Sequence, residues 1–174
     1  VSIWASLVNL WHEDRADDFR ENFLQANKLL TIFSLVLLVP MIIVNEKFVS
    51  VWMGASNALD LTFAVALALF IWTNAMNVFW RHILAGTGHL EQQVKPYIIS
   101  GICNIIMTLI FTKAFGLVGP ILASSLALLG LMLWKLRLFS THYQLSTLKI
   151  LKEVAPAFTL SGLVLMMVVQ MNYV

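Results

Sequence analysis

Residues 113–130 read K-A-F-G-L-V-G-P-I-L-A-S-S-L-A-L-L-G, and a very short turn in this stretch joins two long apolar segments. Gly116, Gly119 and Pro120 interrupt the helical periodicity between these segments. Because almost no polar residue separates them, the sequence predicts two antiparallel helices that pack side by side. Further apolar segments lie on both sides of this hairpin.

The composition is that of a membrane protein. Of the 174 residues, 60% are hydrophobic and 11% are charged, whereas charged residues make up about 25% of a soluble globular domain. Several uncharged runs reach roughly 20 residues, the length that an α-helix needs to cross a bilayer. We therefore predict an all-α fold, a polytopic transmembrane helical bundle that contacts the lipid bilayer directly.

The uncharged runs predict about five complete spans, preceded by the end of an earlier helix. The mixed-charge stretch 12–22 is predicted to lie in water, as a loop or a short surface helix. Asp60 is predicted to cap the second span. Both ends of the chain look cut, so we predict a single transmembrane domain over 1–174, a fragment of a longer transporter. The predicted spans cover about residues 29–49, 61–85, 94–112, 117–138 and 154–172.

The distribution of basic residues predicts an orientation. With these spans, only Lys47 and Lys113 fall on one side of the membrane, and the other nine of the 11 basic residues fall on the side of the stretch 12–28. By the positive-inside rule, that side is cytoplasmic and the 113–120 turn faces outward. The nine residues are Arg15, Arg20, Lys28, Arg81, Lys95, Lys135, Arg137, Lys149 and Lys152.

No catalytic constellation is visible in the sequence. The four histidines lack the i, i+4 spacing of a zinc site, and there is no glycine-rich phosphate loop. The single cysteine, Cys103, lies in an apolar run and is predicted to be a small buried hydrophobe. We therefore expect no enzyme activity, no catalytic residue, no metal, no cofactor and no nucleic-acid partner. The histidines are His12, His82, His89 and His142.

Polar residues recur every four positions along the third predicted span, on one face of an otherwise apolar helix. Amide and hydroxyl groups facing lipid would be unfavourable, so this face should meet protein or a wet cavity. Two interpretations fit the pattern: hydrogen bonds between helices, and the lining of a substrate cavity. The residues are Ser100, Asn104, Thr108 and Thr112.

The second and fourth spans each carry a further stripe. One face of the second span carries Asn74, Asn77 and Arg81, which are candidates for lining a cavity. The alternative interpretation of Arg81 is an arginine that snorkels to the membrane interface. On the fourth span, small residues form a ridge that would let two helix backbones approach closely. The ridge consists of Gly119, Ala123, Ala127 and Gly130.

The order of these features resembles the C-terminal half of polysaccharide biosynthesis proteins. These are the O-antigen and lipid-linked oligosaccharide flippases of the multidrug/oligosaccharidyl-lipid/polysaccharide exporter superfamily. The similarity covers about residues 1–140. Its most specific parts are L-A-G-T-G-H at 84–89, Asn104, and F-G-L-V-G-P-I-L-A-S at 115–124.

The resemblance implies a two-lobed, MATE-like helical bundle that works by alternating access, with this chain supplying most of the second lobe. It implies a flippase that moves lipid-linked oligosaccharide or polysaccharide precursors across the bacterial inner membrane. The implied partners are a lipid-linked sugar substrate and polysaccharide polymerase or glycosyltransferase machinery. Two alternatives stay open: an ion-coupled multidrug or metabolite antiporter of the same superfamily, and a non-transporting membrane anchor or assembly protein.

Overall fold

The computed structural model of the chain describes residues 3–54 and 61–172, and within these ranges it contains no strand. The all-α prediction is confirmed for this part of the chain, and Asp60 lies outside it. A 3-10 turn, Gly116–Val118, connects the fourth and fifth helices. The helices are α1 Ile3–His12, α2 Ala16–Met53, α3 Leu61–Gly86, α4 Glu91–Phe115, α5 Gly119–Tyr143 and α6 Thr147–Asn172.

Three segments of the described chain are long and apolar enough to cross a membrane. They are Ala16–Asn45, Leu61–Gly86 and the 53-residue segment Glu91–Tyr143, which contains α4, the 3-10 turn and α5. With 25 residues each, α4 and α5 are about 38 Å long, enough for a hydrocarbon core of about 30 Å. The membrane character predicted from the composition is therefore confirmed at the level of helix length and hydropathy.

Helix α2 is longer than the sequence pattern suggested. It starts at Ala16, inside the mixed-charge stretch, and continues through Pro40 to Met53. Its 38 residues correspond to about 57 Å, so its charged first turns can extend beyond the hydrocarbon core. Ion pairs at i, i+3, including Arg20–Asp17 at 2.6 Å, stabilise these turns as helix.

An aromatic core holds the start of α2 against the ends of α3 and α5. Phe19, Phe23, Phe139 and Tyr143 are fully buried, and Trp80 is 2% exposed. The rings of Phe23 and Phe139 lie 4.6 Å apart, and those of Phe139 and Tyr143 lie 5.2 Å apart. These contacts make one end of the bundle its most tightly packed region.

Polar contacts reinforce the same end. The Arg20 Nε donates to the carbonyl oxygen of Tyr143 at 2.7 Å, which satisfies a carbonyl in the last turn of α5. Gln144 then adopts a left-handed conformation, with φ of 55°, and ends the helix. Lys28 and Glu153 form an ion pair of 3.4 Å between α2 and α6.

Helices α4 and α5 form the antiparallel hairpin that the 113–130 turn predicted. Gly116 has φ of 58° and its N–H donates to the carbonyl oxygen of Thr112, so the chain reverses at a position that favours glycine. A side chain at Gly119 would overlap the backbone of Phe111 and Thr112. The hairpin therefore depends on the absence of a side chain at Gly119.

Candidate functional site

A polar cluster lies between α3, α4 and α5, centred on Lys135. Lys135 is only 1% exposed, although it lies within the apolar segment Glu91–Tyr143. Its Nζ donates to the carbonyl oxygen of Asn77 at 2.8 Å, to Asn77 Oδ1 at 3.1 Å and to the Tyr97 hydroxyl at 2.9 Å. The three hydrogens of the ammonium group are thus matched by three neutral oxygen atoms.

Asn77 connects the cluster to the surrounding helices. Its Nδ2 donates to the carbonyl oxygen of Thr73 one turn earlier and to that of Leu128 on α5, both at 3.0 Å. Since its Oδ1 accepts from Lys135, every polar atom of the Asn77 side chain has a partner. Asn77 is 2% exposed, so it holds α3 against α5 from within the bundle.

Tyr97 contributes the contact from α4. Its hydroxyl accepts from Lys135, and the ammonium nitrogen lies 5.0 Å from the centre of the Tyr97 ring. This distance is within the range of a cation–π interaction. The contact of Lys135 with Tyr97 is nevertheless mainly the hydrogen bond to its hydroxyl.

The cluster combines the basic side chain of Lys135 with that of Arg81 beside it. In the described part of the chain no carboxylate forms an ion pair with Lys135. Arg81, one turn after Asn77 on α3, is exposed, and its positive charge acts on both Lys135 and Tyr97. Among the side chains that the structure describes, Arg81 has no hydrogen-bonding or ion-pairing partner. The arrangement suits an anionic ligand.

The stripe predicted on α3 divides between two environments. Asn77 is buried against α5, whereas Asn74 and Arg81 are exposed. The structure therefore brings Asn77 together with Lys135 and Tyr97, places Arg81 beside them, and leaves Asn74 outside the cluster.

The first half of the stripe predicted on α4 faces α5, whereas Thr112 is exposed and its hydroxyl donates to the carbonyl oxygen of Thr108 on the same helix. The Ser100 Oγ donates to the carbonyl oxygen of Ala127 at 3.1 Å, and Ser124 Oγ donates to Asn104 Oδ1 at 3.3 Å. Thr108 Oγ1 donates to Asn104 Oδ1 at 3.4 Å. These contacts favour the interpretation that Ser100 and Asn104 form hydrogen bonds between helices, with Thr108 supporting Asn104.

The small-residue ridge on α5 is buried where it begins and exposed where it ends. Gly119 and Ala123 are buried, and Ala127 is half-buried beside Ser100. Gly130 is exposed, and no atom lies within 4 Å of the position that a Cβ would take there. Close helix contact is thus concentrated at the turn end of the hairpin.

Lys135 and Tyr97 were missed by the sequence interpretation, which counted Lys135 among cytoplasmic charges. For Lys135 the small-residue ridge gave no signal, because Lys135 points well away from Gly130 around α5. Tyr97 lies seven residues before Asn104 and continues the α4 polar face.

The histidines lie near the ends of the helices. The rings of His89 and His142 stack at 4.0 Å, and a ring nitrogen of His142 lies 2.9 Å from Gln92 Oε1. Burial and the positive charge of His142 both lower the pKa of His89. In the part of the chain that the structure describes, no three His, Cys, Asp or Glu residues are grouped to hold a metal ion.

No protein-family model, curated protein or solved structure matches the chain. The similarity to flippases therefore remains a prediction from the sequence pattern.

Proposed function

We propose that this chain is part of a membrane transporter that moves a lipid-linked oligosaccharide or polysaccharide precursor across the bacterial inner membrane. The observation that supports this best is the buried Lys135 ammonium, held only by neutral groups between α3, α4 and α5. In this proposal α2 to α6 are five membrane spans of the second lobe, and polysaccharide polymerase or glycosyltransferases are the partners.

A purely structural role would not require this charge. Removing an ammonium group from water costs several kcal/mol, and an apolar side chain of similar volume often packs as well or better. Ionisable residues inside membrane segments more often mark the route of a substrate or an ion. A buried lysine without a carboxylate partner therefore favours transport over simple anchoring.

The charge also favours an anionic substrate. The phosphate of a lipid-linked sugar would be attracted by Arg81 and Lys135 together. A cavity for cationic drugs would instead need a carboxylate, and none pairs with Lys135 in the described chain. The positive cluster thus favours the flippase over a drug antiporter.

The contacts of Lys135 suggest how binding could move the helices. An anionic oxygen that approaches Nζ must replace one of its three neutral acceptors. Tyr97 is the acceptor that is easiest to displace, because it belongs to α4 whereas both other contacts are to Asn77 on α3. Substrate binding would then release the α4 contact at Lys135 alone while α3 and α5 stay joined there, a difference that alternating access can use.

Transport by the full-length protein in proteoliposomes tests the proposal. With a lipid-linked oligosaccharide as substrate, Arg81→Ala should slow transport by about fivefold, the effect of losing an exposed charge worth about 1 kcal/mol. Arg137→Ala is the control, since Arg137 is also exposed and does not contact the cluster. Equal transport by Arg81→Ala and the wild type, at equal protein amounts, would contradict the proposal.

A further inference from the structure

A groove of about 770 Å³ lies between α4 and α5. Three of its polar residues, Glu91, Gln92 and Lys95, are at the beginning of α4, and beyond them the lining is apolar except for Ser100. From Lys95 to Met107 the groove follows α4 for about 18 Å. The apolar walls are formed by Ile99, Cys103, Met107, Leu126, Leu131 and Trp134.

The floor of the groove is made of small residues. Ala127 and Gly130 line it, and the space in front of Gly130 is empty for at least 4 Å. The Ser100 hydroxyl bonds to the Ala127 carbonyl and closes the base of the groove between the two helices. The space is therefore long, narrow and apolar, a shape that fits a hydrocarbon chain.

The mouth of the groove carries an unpaired cation. Lys95 is exposed and has no hydrogen-bonding or ion-pairing partner among residues 3–54 and 61–172. A lysine at the end of a membrane helix directs its ammonium group to the level of the lipid head groups. Glu91, also exposed, lines the same mouth, so Lys95 offers a local contact to an anionic head group rather than a net positive charge. A basic contact at the mouth followed by apolar walls fits an amphiphile with an anionic head, whereas a protein helix in the groove would not require the cation.

The groove and the polar cluster are on different faces of the same hairpin. Lys95 and Tyr97 are two residues apart on α4, so their side chains leave the helix in nearly opposite directions. One face of the hairpin carries the hydrogen-bonded pair Tyr97 and Lys135, and the other contributes Lys95 to the groove. A single hairpin can therefore contact the two chemically different halves of one lipid-linked molecule.

We propose that the groove holds the hydrocarbon chain of the lipid-linked substrate, with Lys95 contacting its phosphate on entry. This inference rests on the proposed function. The hydrocarbon chain of the substrate stays in apolar surroundings while the hydrophilic head group moves toward the cluster around Lys135. The unfavourable transfer is therefore confined to the head group.

Photo-crosslinking tests the groove directly. The full-length protein, in phosphatidylcholine nanodiscs, is irradiated with polyprenyl phosphate that carries a diazirine in its chain, and labelled peptides are identified by mass spectrometry. Labels should fall on the walls of the groove. Gly130→Leu, which fills open space, should lower labelling by about tenfold, equivalent to excluding roughly two methylene groups. Gly101→Leu is the control, because Gly101 also faces open space but does not line the groove.

The charge at the mouth is tested separately. Lys95→Gln should reduce labelling by about fivefold, the effect of one basic residue near an anionic lipid. Lys95→Arg should restore it, because it keeps the charge. Unchanged labelling in Gly130→Leu, or in Lys95→Gln, would overturn the assignment.

Two further outcomes would overturn the choice of occupant. Equal labelling by phosphatidylglycerol with the same photoreactive group would make this a general lipid site. Disulfide-linked dimers through the exposed Cys103, without lipid labels, would make it a protein contact. Groove labelling without head-group transport supports the groove and contradicts the proposed function, whereas transport without groove labelling contradicts the groove alone.

Discussion

Lys135 on α5 is bound to Asn77 on α3 twice, through the carbonyl oxygen at 2.8 Å and through Oδ1 at 3.1 Å. A single asparagine thus provides two of the three acceptors of a buried cation. Neither oxygen carries a charge, so Lys135 has no charged partner at these contacts. Function and stability should therefore respond differently when this lysine is replaced.

Lys135→Met should leave stability nearly unchanged. The variant removes the cost of burying an ammonium group, but it leaves Asn77 Oδ1 and the Tyr97 hydroxyl without their donor. These opposing effects should change the free energy of unfolding by no more than about 2 kcal/mol. Thermal unfolding in detergent micelles measures the change, and a much larger loss would show that Lys135 is primarily structural.

Asn27→Leu should destabilise the protein. Asn27 is 1% exposed, and its Oδ1 accepts from the Trp80 Nε1 at 2.6 Å, which joins α2 to α3 beside the aromatic core. Leucine would leave the indole N–H buried without an acceptor, at a cost of about 1–3 kcal/mol. The control is Asn22→Leu on the same helix, where Asn22 is exposed and bonds only to its own helix. Equal unfolding temperatures for both variants would refute this role of Asn27.

Gly119→Val should disrupt the hairpin. The added side chain would overlap the backbone at Phe111 and Thr112, so α4 and α5 would have to separate at the turn. A loss of about 3 kcal/mol or more is expected from overpacking at a buried position. Gly130→Ala, which enters open space, should unfold at about the wild-type temperature. The prediction is wrong if the valine variant is as stable as the alanine variant.

Acidification should weaken the contact between the α3–α4 connection and the end of α5. Burial and the neighbouring His142 lower the pKa of His89 in the folded protein, so its neutral form favours folding. The resulting stability is complete above the unfolded pKa of about 6.5 and is lost as pH falls toward the lower folded pKa. The unfolding temperature should therefore decrease slightly below about pH 6.5.

His89→Gln should flatten this dependence, because it removes the titrating ring. His12→Gln should keep it, since His12 bonds to the Gly86 carbonyl and does not stack on His142. Identical pH profiles for the wild type and His89→Gln would assign the effect to another group.

The helices and the hairpin were predictable because hydropathy and helix breakers act locally. A run of about 20 apolar residues indicates a membrane helix whatever it packs against. The turn is indicated by Gly116, Gly119 and Pro120, because the backbone preferences of glycine and proline interrupt a helix. The start of α2 was harder to predict, because a mixed-charge stretch fits a loop as well as a helix whose i, i+3 ion pairs stabilise it.

The site was only partly predictable. Asn77 and Arg81 were proposed from their spacing, whereas Lys135 was counted on the cytoplasmic side because counting charges says nothing about the direction of a side chain. Cys103 was predicted to be buried and is exposed in the groove between α4 and α5. Hydropathy cannot separate a lipid-facing apolar residue from a protein-facing one, since both surroundings favour the same side chains.

The most direct test of the central claim is transport of a lipid-linked oligosaccharide by full-length Lys135→Met in proteoliposomes. We expect a decrease of about 30-fold or more, the consequence of losing one buried charge contact to an anion. Lys135→Arg should retain measurable transport because it keeps the charge, and Lys113→Met, at an exposed lysine on α4, should transport as the wild type does. Wild-type transport by Lys135→Met, at an equal amount of protein, would contradict the account.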